Sequence, residues 1–530
     1  CALAVSRSMA AAPRGLRAPL AACWLALAAG SSQRPHVLFV VVDDLGFTDV
    51  GFRSHEIRTP TVDSLAKNGV VLDQYYVPSV CSPSRATFMT GRFPMHHGIV
   101  DWIAPAATYG LPLNETTMAD KFREAGYATH AVGKWHMGFY RKEMTPTFRG
   151  FDSFYGFYTG GEDYFTHVNQ GYYDFRRDPS PRCGPGCSQI AAEAAGRYST
   201  TLFAEEAARI VEAHPEGAPL FLYLAFQAVH APAEVPQEYV DAYKATIADP
   251  MRRKFAGMLS CMDEGLANVT AALQARGWMD STLVVFTTDN GGPVDTGDGI
   301  GARNWPLRGG KHSIWEGGTR GTAFISGKML KKTGSTFTHL MHGADWLPTL
   351  GAVAGFDVST IPLPLDGVNQ WDAINGVTGQ PARTGFVYGN STDVCKWTSA
   401  LSEVQQLANG PVPCGFAIRD QQWKLTLGYG GAPDTWCNKS SSGLICKDAA
   451  RSPPLPACLD TGFCLWDVVN DPYEQEELSA KHPDVVARLK VKMGTTLQNY
   501  HEYRLDPACG APTFEHDEKV GPSWTPWCDS

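Results

Sequence analysis

The sequence has no basic run and little charge: 19% of its 530 residues are charged, and the formal net charge is −9. A nucleic-acid surface needs clustered cations. That class is therefore excluded, and any anionic ligand has to be drawn in by local positive groups against the overall field. Long apolar runs are missing too. The longest, Leu20 to Ala29, falls well short of the ~20 residues that a spanning helix needs, so no membrane span is expected. It follows Arg14 and Arg17 in MAAAPRGLRAPLAACWLALAAG and ends at the small-residue site Ala26-Leu27-Ala28, so residues 1–30 read as a secretory leader. Cys1 to Ser8, ahead of Met9, read as upstream sequence. No internal repeat is present, which excludes solenoids and propellers.

What is present suits a large globular protein: 44% of the residues are hydrophobic, enough for a sizeable core. The leader holds Cys1 and Cys23 of the 14 cysteines. Cys81 belongs to a motif taken up below, and Cys261 lies beside the helical stripe Met258, Met262, Leu266, Val269 and Leu273, where a free core thiol is expected. Ten cysteines remain for disulfides, as expected in an oxidising compartment. Cys183 and Cys187 are expected to close a short turn, while Cys395, Cys414, Cys437, Cys446, Cys458 and Cys464 crowd one loop-rich stretch. Sequons at Asn114, Asn268, Asn390 and Asn438 are compatible with glycosylation. The expected location is the secretory pathway, in the lysosomal lumen or outside the cell.

Short β-branched runs alternate with helical patterns. HVLFVVV (36–42), THAV (129–132), PLFLYLAF (219–226) and TLVVFTT (282–288) read as strands, and helices are expected near 60–69, 199–213 and 253–276. This is the α/β pattern of a mostly parallel sheet flanked by helices. Asp43-Asp44 follows the first strand, Lys134 and His136 the second, His230 the third and Asp289-Asn290 the fourth. In open α/β sheets ligands bind outside the carboxyl ends of the strands, so these groups are expected on one rim. After about residue 375 the pattern becomes a small antiparallel sheet with a helix near 481–498. The expected division is leader 1–30, catalytic domain 31–378 and C-terminal subdomain 379–530, with the boundary near TGQPART.

In VCSPSRATFMTGR (80–92), Pro83 suits the first position of a helix and Gly91 its end. Cys81 then precedes a helix N-terminus, where amide N–H groups favour an anion. A lone extracellular cysteine is ordinarily half of a disulfide. Asp43, Asp44, Asp289 and Asn290 offer only oxygen ligands, which suits Ca2+, or less well Mg2+, and argues against zinc. Taken singly they read as turn or cap residues.

CSPSRATFMTGR resembles the C-x-P-x-R…TGR signature of type I sulfatases. The likeness extends through RPHVLFVVVDDLGFTDVGF, GKWHMGFYRKE, FTTDNGG, NWPLRGGKHSIWEGGTRG and NDPYEQEEL, and is nearest to the arylsulfatase B, or N-acetylgalactosamine-4-sulfatase, branch. It implies an alkaline-phosphatase-like fold and conversion of Cys81 to formylglycine by the formylglycine-generating enzyme. It further implies one Ca2+ held by Asp43, Asp44, residue 81, Asp289 and Asn290. By the same resemblance, Arg85 binds the hydrated aldehyde, Lys134 and Lys311 bind sulfate, and His230 or one of these lysines protonates the leaving oxygen. His136 then expels sulfate from the sulfo-enzyme. His96, His97, His312 and His342 match no catalytic position, and GGEDYFTH (160–167) is expected near the sugar without an assigned contact. The activity implied is hydrolysis of aryl or carbohydrate sulfates, N-acetylgalactosamine 4-sulfate among them. Two rivals stand beside it: an alkaline-phosphatase-like phosphoesterase, which would use Ser or Thr and His-ligated metals, and a non-catalytic glycan-binding relative.

Overall fold

The computed structural model describes residues 34–294, 301–389, 415–428, 430–431, 458, 462–500 and 503–528. Its centre is five parallel strands: β1 His36–Val42, β2 Ala128–Lys134, β3 Ser153–Phe157, β4 Leu220–Phe226 and β5 Thr282–Thr288. They lie side by side in the order β5-β1-β4-β2-β3. All seven residues of β1, β4 and β5 are buried, as continuous apolar runs covered on both faces must be. Side chains alternate across a strand. Leu38, Val40 and Val42 therefore join one core under the helices Ser199–Ala213 and Pro250–Ala275, while Val37, Phe39 and Val41 join another against Phe88, Met89 and Trp346.

The register aligns the strand ends, with Val42 opposite both Phe226 and Thr288 and Gly133 opposite Ala225. The turns that follow β1, β2, β4 and β5 consequently meet on one rim. Shorter strands finish the sheet. Ala323–Ser326 runs antiparallel to β5 and continues to Val70–Leu72 and Ser335–Phe337; Arg176–Asp178 and Gln189–Ile190 extend the other edge beyond β3. The sheet is mixed and mostly parallel, as the sequence pattern implied.

The small sheet orders Gly385–Tyr388, Phe416–Asp420, Trp423–Leu427 and Phe463–Asp467 as an antiparallel meander, covered by the helix Pro483–Thr496 through Val485, Leu489 and Met493. A buried charge cluster joins it to the short helix Glu316–Thr319, which leads into Ala323–Ser326 of the large sheet. Lys424 Nζ lies 3.3 Å from Glu316 and 2.8 Å from Glu474, and Tyr76 OH donates to Glu316 at 2.6 Å. Farther along, the hairpin Phe514–Asp517/Gly521–Trp524 pairs with the strand Tyr172–Tyr173 rather than with the meander. Disulfides join Cys183–Cys187, Cys458–Cys464 and Cys509–Cys528; Cys261 is a buried free thiol, and Cys395, Cys414, Cys437 and Cys446 lie outside the described residues. Asn114 and Asn268 are exposed, while Asn390 and Asn438 fall outside the description.

Candidate active site

Cys81 opens the helix Cys81–Thr90, with extended Val80 as N-cap and Gly91 in the left-handed conformation at the far end. The helix thus starts two residues earlier than Pro83 suggested: Cys81 is the first helical residue and Pro83 the third. No amide in the first turn has an intrahelical partner, so proline fits at any of these positions. One turn on, Arg85 is fully buried on the same face.

At the end of β1 the chain turns sharply at Asp44, whose φ is 60°. On a continuing strand, consecutive carboxylates would point to opposite faces; here Asp43 and Asp44 both reach one centre. The turn after β4 is tied to it, with Asp43 N–H donating to Ala228 O at 3.0 Å and Val229 N–H to Asp43 O at 2.7 Å. Ligand atoms of Asp43, Asp44, Cys81 and Asp289 all lie within 4.8 Å of one another. Cations surround this nest. Lys134 Nζ is 2.5 Å from Asp43, and Lys311 Nζ 2.9 Å from Asp44. Arg85 donates Nε and Nη2 to Asp289 at 3.0 and 2.8 Å and Nη1 to Lys134 O at 3.1 Å. Asn290 Nδ2 donates to Asp44 at 2.7 Å, and its Oδ1 is buried without a partner. The Cys81 sulfur is 3.5 Å from Asp43 and forms no disulfide.

The electrostatics follow from the geometry. Burial alone would raise the Asp43 carboxyl, but Lys134, His230 and Arg85 outweigh it and hold the group below its ordinary value. Burial, with Asp43 alongside, pushes Asp289 up despite Arg85. Burial and then Asp43 drive the Cys81 thiol well above its ordinary range, leaving it protonated and a poor nucleophile. Burial, reinforced by Lys134 and Arg85, drops His136 far below its usual value. Its Nε2 faces the carbonyl of Ile103 at 3.2 Å, and a carbonyl only accepts. Nε2 therefore carries the proton, and the buried, unpartnered Nδ1 keeps its lone pair. His230 uses Nδ1 on Ala231 O at 2.6 Å, which leaves Nε2 3.8 Å from Asp44; burial, then Lys311 and Lys134, lowers it as well.

The residues suit a hard divalent cation. The donor set is carboxylate and amide oxygen, and the orphaned Asn290 Oδ1 is a buried acceptor in want of a positive partner. A cavity of about 630 Å³ opens over Cys81, His136, His230 and Lys311. Its lining also includes Trp102, which is 45% exposed, together with Gly160, Gly161, Asn169 and Gln170.

Residues 35–356 match the family model described as Sulfatase. The chain belongs to the sulfatase family. Arylsulfatase J of Mus musculus is 35% identical over 515 residues, covering 94% of this sulfatase and 81% of its relative. Arylsulfatase A of Homo sapiens is 30% identical over 502 residues, covering 88% and 89%. The crystal structure of Ps i-CgsB superposes with a TM-score of 0.70 at 27% identity, covering 89% of this chain and 94% of that one; a second structure of it holds k-i-k-neocarrahexaose. The fold is the alkaline-phosphatase-like one of these sulfatases, and the type I resemblance of the Cys81 motif agrees with the family. The family sets the phosphoesterase and non-catalytic readings aside: this is a sulfate-ester hydrolase.

Asp43, Asp44, Cys81, Arg85, Lys134, His136, His230, Asp289, Asn290 and Lys311 thus all meet in one site of the sulfatase. His312 lines the same cavity. His96 pairs with Asp366, His97 with Thr87, and His342 caps the turn at Ala344, all away from the cleft. Sequence reasoning missed Trp102, the Ile103 carbonyl and the packing of Gly160 and Gly161. None of the three signals through a titratable side chain, and Trp102 stands ten residues beyond Arg92, the last residue of the motif.

Proposed function

We propose that this sulfatase hydrolyses sulfate esters of sugars or aryl alcohols with residue 81 in its formylglycine form, installed by the formylglycine-generating enzyme. The observation that carries the reading is the free thiol at the helix N-terminus, inside a nest of carboxylates and cations at the base of a cavity. The converted residue supplies a hydrated aldehyde, with one hydroxyl to attack sulfur and one to release the product. Asp43, Asp44, Asp289 and Asn290 would hold Ca2+ beside residue 81, where the ion supplies positive charge to the sulfate oxygens.

The remaining work falls to side chains already in place. Lys134 and Lys311 balance the carboxylates and offer ammonium protons to sulfate oxygens, and Arg85 fixes Asp289. Because Nδ1–H of His230 is committed to the Ala231 carbonyl, its Nε2, 3.8 Å from Asp44, gives the leaving oxygen a proton only from the imidazolium form; with the ring neutral, Lys134 or Lys311 supplies that proton. His136, neutral with a free Nδ1, is suited to take a proton during release. The exposed Trp102 face suits stacking against a pyranose or aryl ring. The neocarrahexaose complex of the related Ps i-CgsB supports carbohydrate as the class. N-acetylgalactosamine 4-sulfate is our candidate within it. The disulfides support a secretory location, lysosomal or extracellular, and no helix among the described residues is long and apolar enough to cross a membrane.

Mass spectrometry of the residue-81 peptide from active, secreted protein should show the aldehyde, and Cys81→Ala should be secreted yet inactive on an aryl sulfate. An intact thiol in active enzyme would refute the mechanism. Sugars sulfated at single positions, the 4- and 6-sulfates of N-acetylgalactosamine included, then test the candidate substrate.

A further inference from the structure

The turn Thr159–Asp163 crosses the base of the cavity between β3 and the strand Val168–Asn169, and it carries two adjacent glycines with no recognisable chemistry. A methyl group on Gly160 would lie 2.6 Å from both Cε1 and Nε2 of His136; one on Gly161 would lie 3.1 Å from Cε1 and 3.2 Å from Nδ1 of His230. Neither glycine adopts a positive φ. An alanine could therefore follow the same backbone, and conformational freedom is not what requires glycine here. The requirement is space: at both positions the room a Cβ would need is taken by an imidazole.

The turn is braced from behind. Asp174 accepts from the Tyr158 and Thr159 amides at 3.1 and 2.8 Å, and Gln227 Nε2 donates to the Glu162 carbonyl. His167 holds the Glu162 side chain at 3.0 Å through Nδ1 and the Ala194 carbonyl at 3.0 Å through Nε2. Tyr164 OH bonds the His230 carbonyl itself at 2.8 Å. His136 is fixed by the Ile103 carbonyl at Nε2, one of the two ring atoms nearest Gly160.

We infer that Gly160 and Gly161 are positioning residues: a rigid, side-chain-free backstop that sets the His136 and His230 rings relative to residue 81. The inference rests on the proposed roles of those histidines. It predicts a graded effect. The Gly160 contact is too short for any real carbon, so Gly160→Ala has to displace the His136 ring. The Gly161 contact asks His230 to yield only a few tenths of an ångström. Since a misplacement of about 1 Å can cost ~10²-fold in rate, Gly160→Ala should lose on the order of that in kcat with little change in KM, and Gly161→Ala should lose less.

The test is a pair of double-mutant cycles on full-length secreted enzyme, with aryl sulfate turnover followed at high enzyme concentration so that slow variants are measured. Gly160→Ala should cost little on a His136→Ala background, and Gly161→Ala little on a His230→Ala background. Gly379→Ala, at an exposed site with open space around it, is the control. Full activity of Gly160→Ala, or the same fractional loss with and without His136, would overturn the inference. Full activity of His136→Ala would instead overturn the catalytic reading. Thermal unfolding reports whether each variant folds, and if Gly160→Ala does not, the Gly161–His230 cycle decides.

Discussion

Single side chains in this site serve several partners at once, which makes conservative exchange costly. Arg85 spans Asp289 and the Lys134 carbonyl with three nitrogens while fully buried. A lysine keeps the charge but not the fork. Arg85→Lys is expected to lower kcat by about 10²-fold, by analogy with the loss of a preorganised donor, and to lower the urea midpoint. The buried histidines outside the site act on stability instead. Burial, then Arg92 and His96, lowers His97 from 6.5 to about 3. Between those pH values the unfolded chain binds a proton that the native one refuses. Stability from this group is thus complete above pH 6.5 and falls towards pH 3, by at most about 1.4 kcal/mol per pH unit. His97→Gln should flatten the slope of unfolding free energy against pH over that window. At this scale the sequence was informative where an ionisable residue stands beside a strand end, as Asp43, His230 and Asp289 do. It was silent where the contribution is a carbonyl, as at Ile103, or missing atoms, as at Gly160.

Among the elements, the helix Cys81–Thr90 shows how local rules and tertiary demands combine. Its end was legible because Gly91 supplies a left-handed residue, φ 66°, that L side chains resist. Its start was shifted because all first-turn amides are equally unpartnered. Gly91→Ala would force a methyl into that conformation 3.3 Å from Ala344 O and Leu347 Cβ. A loss of about 1–2 kcal/mol in urea denaturation is expected. The long apolar strands β1, β4 and β5 and the helix Ser199–Ala213 stand where their patterns put them. The short strands Val70–Leu72 and, at the edge, Ser335–Phe337 carry too few residues to show a period, and their pairing depends on neighbours distant in sequence.

For the whole molecule, the joint between the small sheet and the helix Glu316–Thr319 that leads into the large one carries a buried ion cluster. Lys424, fully buried, faces Glu316 and Glu474. Burial alone would raise Glu316, but Lys424 and then Arg419 outweigh it and keep it ionised, while burial raises Glu474. Removing the ammonium strands a buried carboxylate, so Lys424→Met should cost about 3–5 kcal/mol in denaturant unfolding. The general α/β reading and the division into a large and a small sheet came from periodicity. This joint did not, because its members Tyr76, Glu316, Lys424 and Glu474 look like ordinary surface residues until the fold buries them. The hairpin near the C-terminus has a comparable reach. Trp524 Nε1 donates to the Asn169 carbonyl at 3.0 Å across 355 positions, buttressing the wall that faces Trp102. That stretch of cavity lining is therefore completed from 355 positions away, and its shape depends on the docking of a hairpin that supplies none of the carboxylates or cations beneath it.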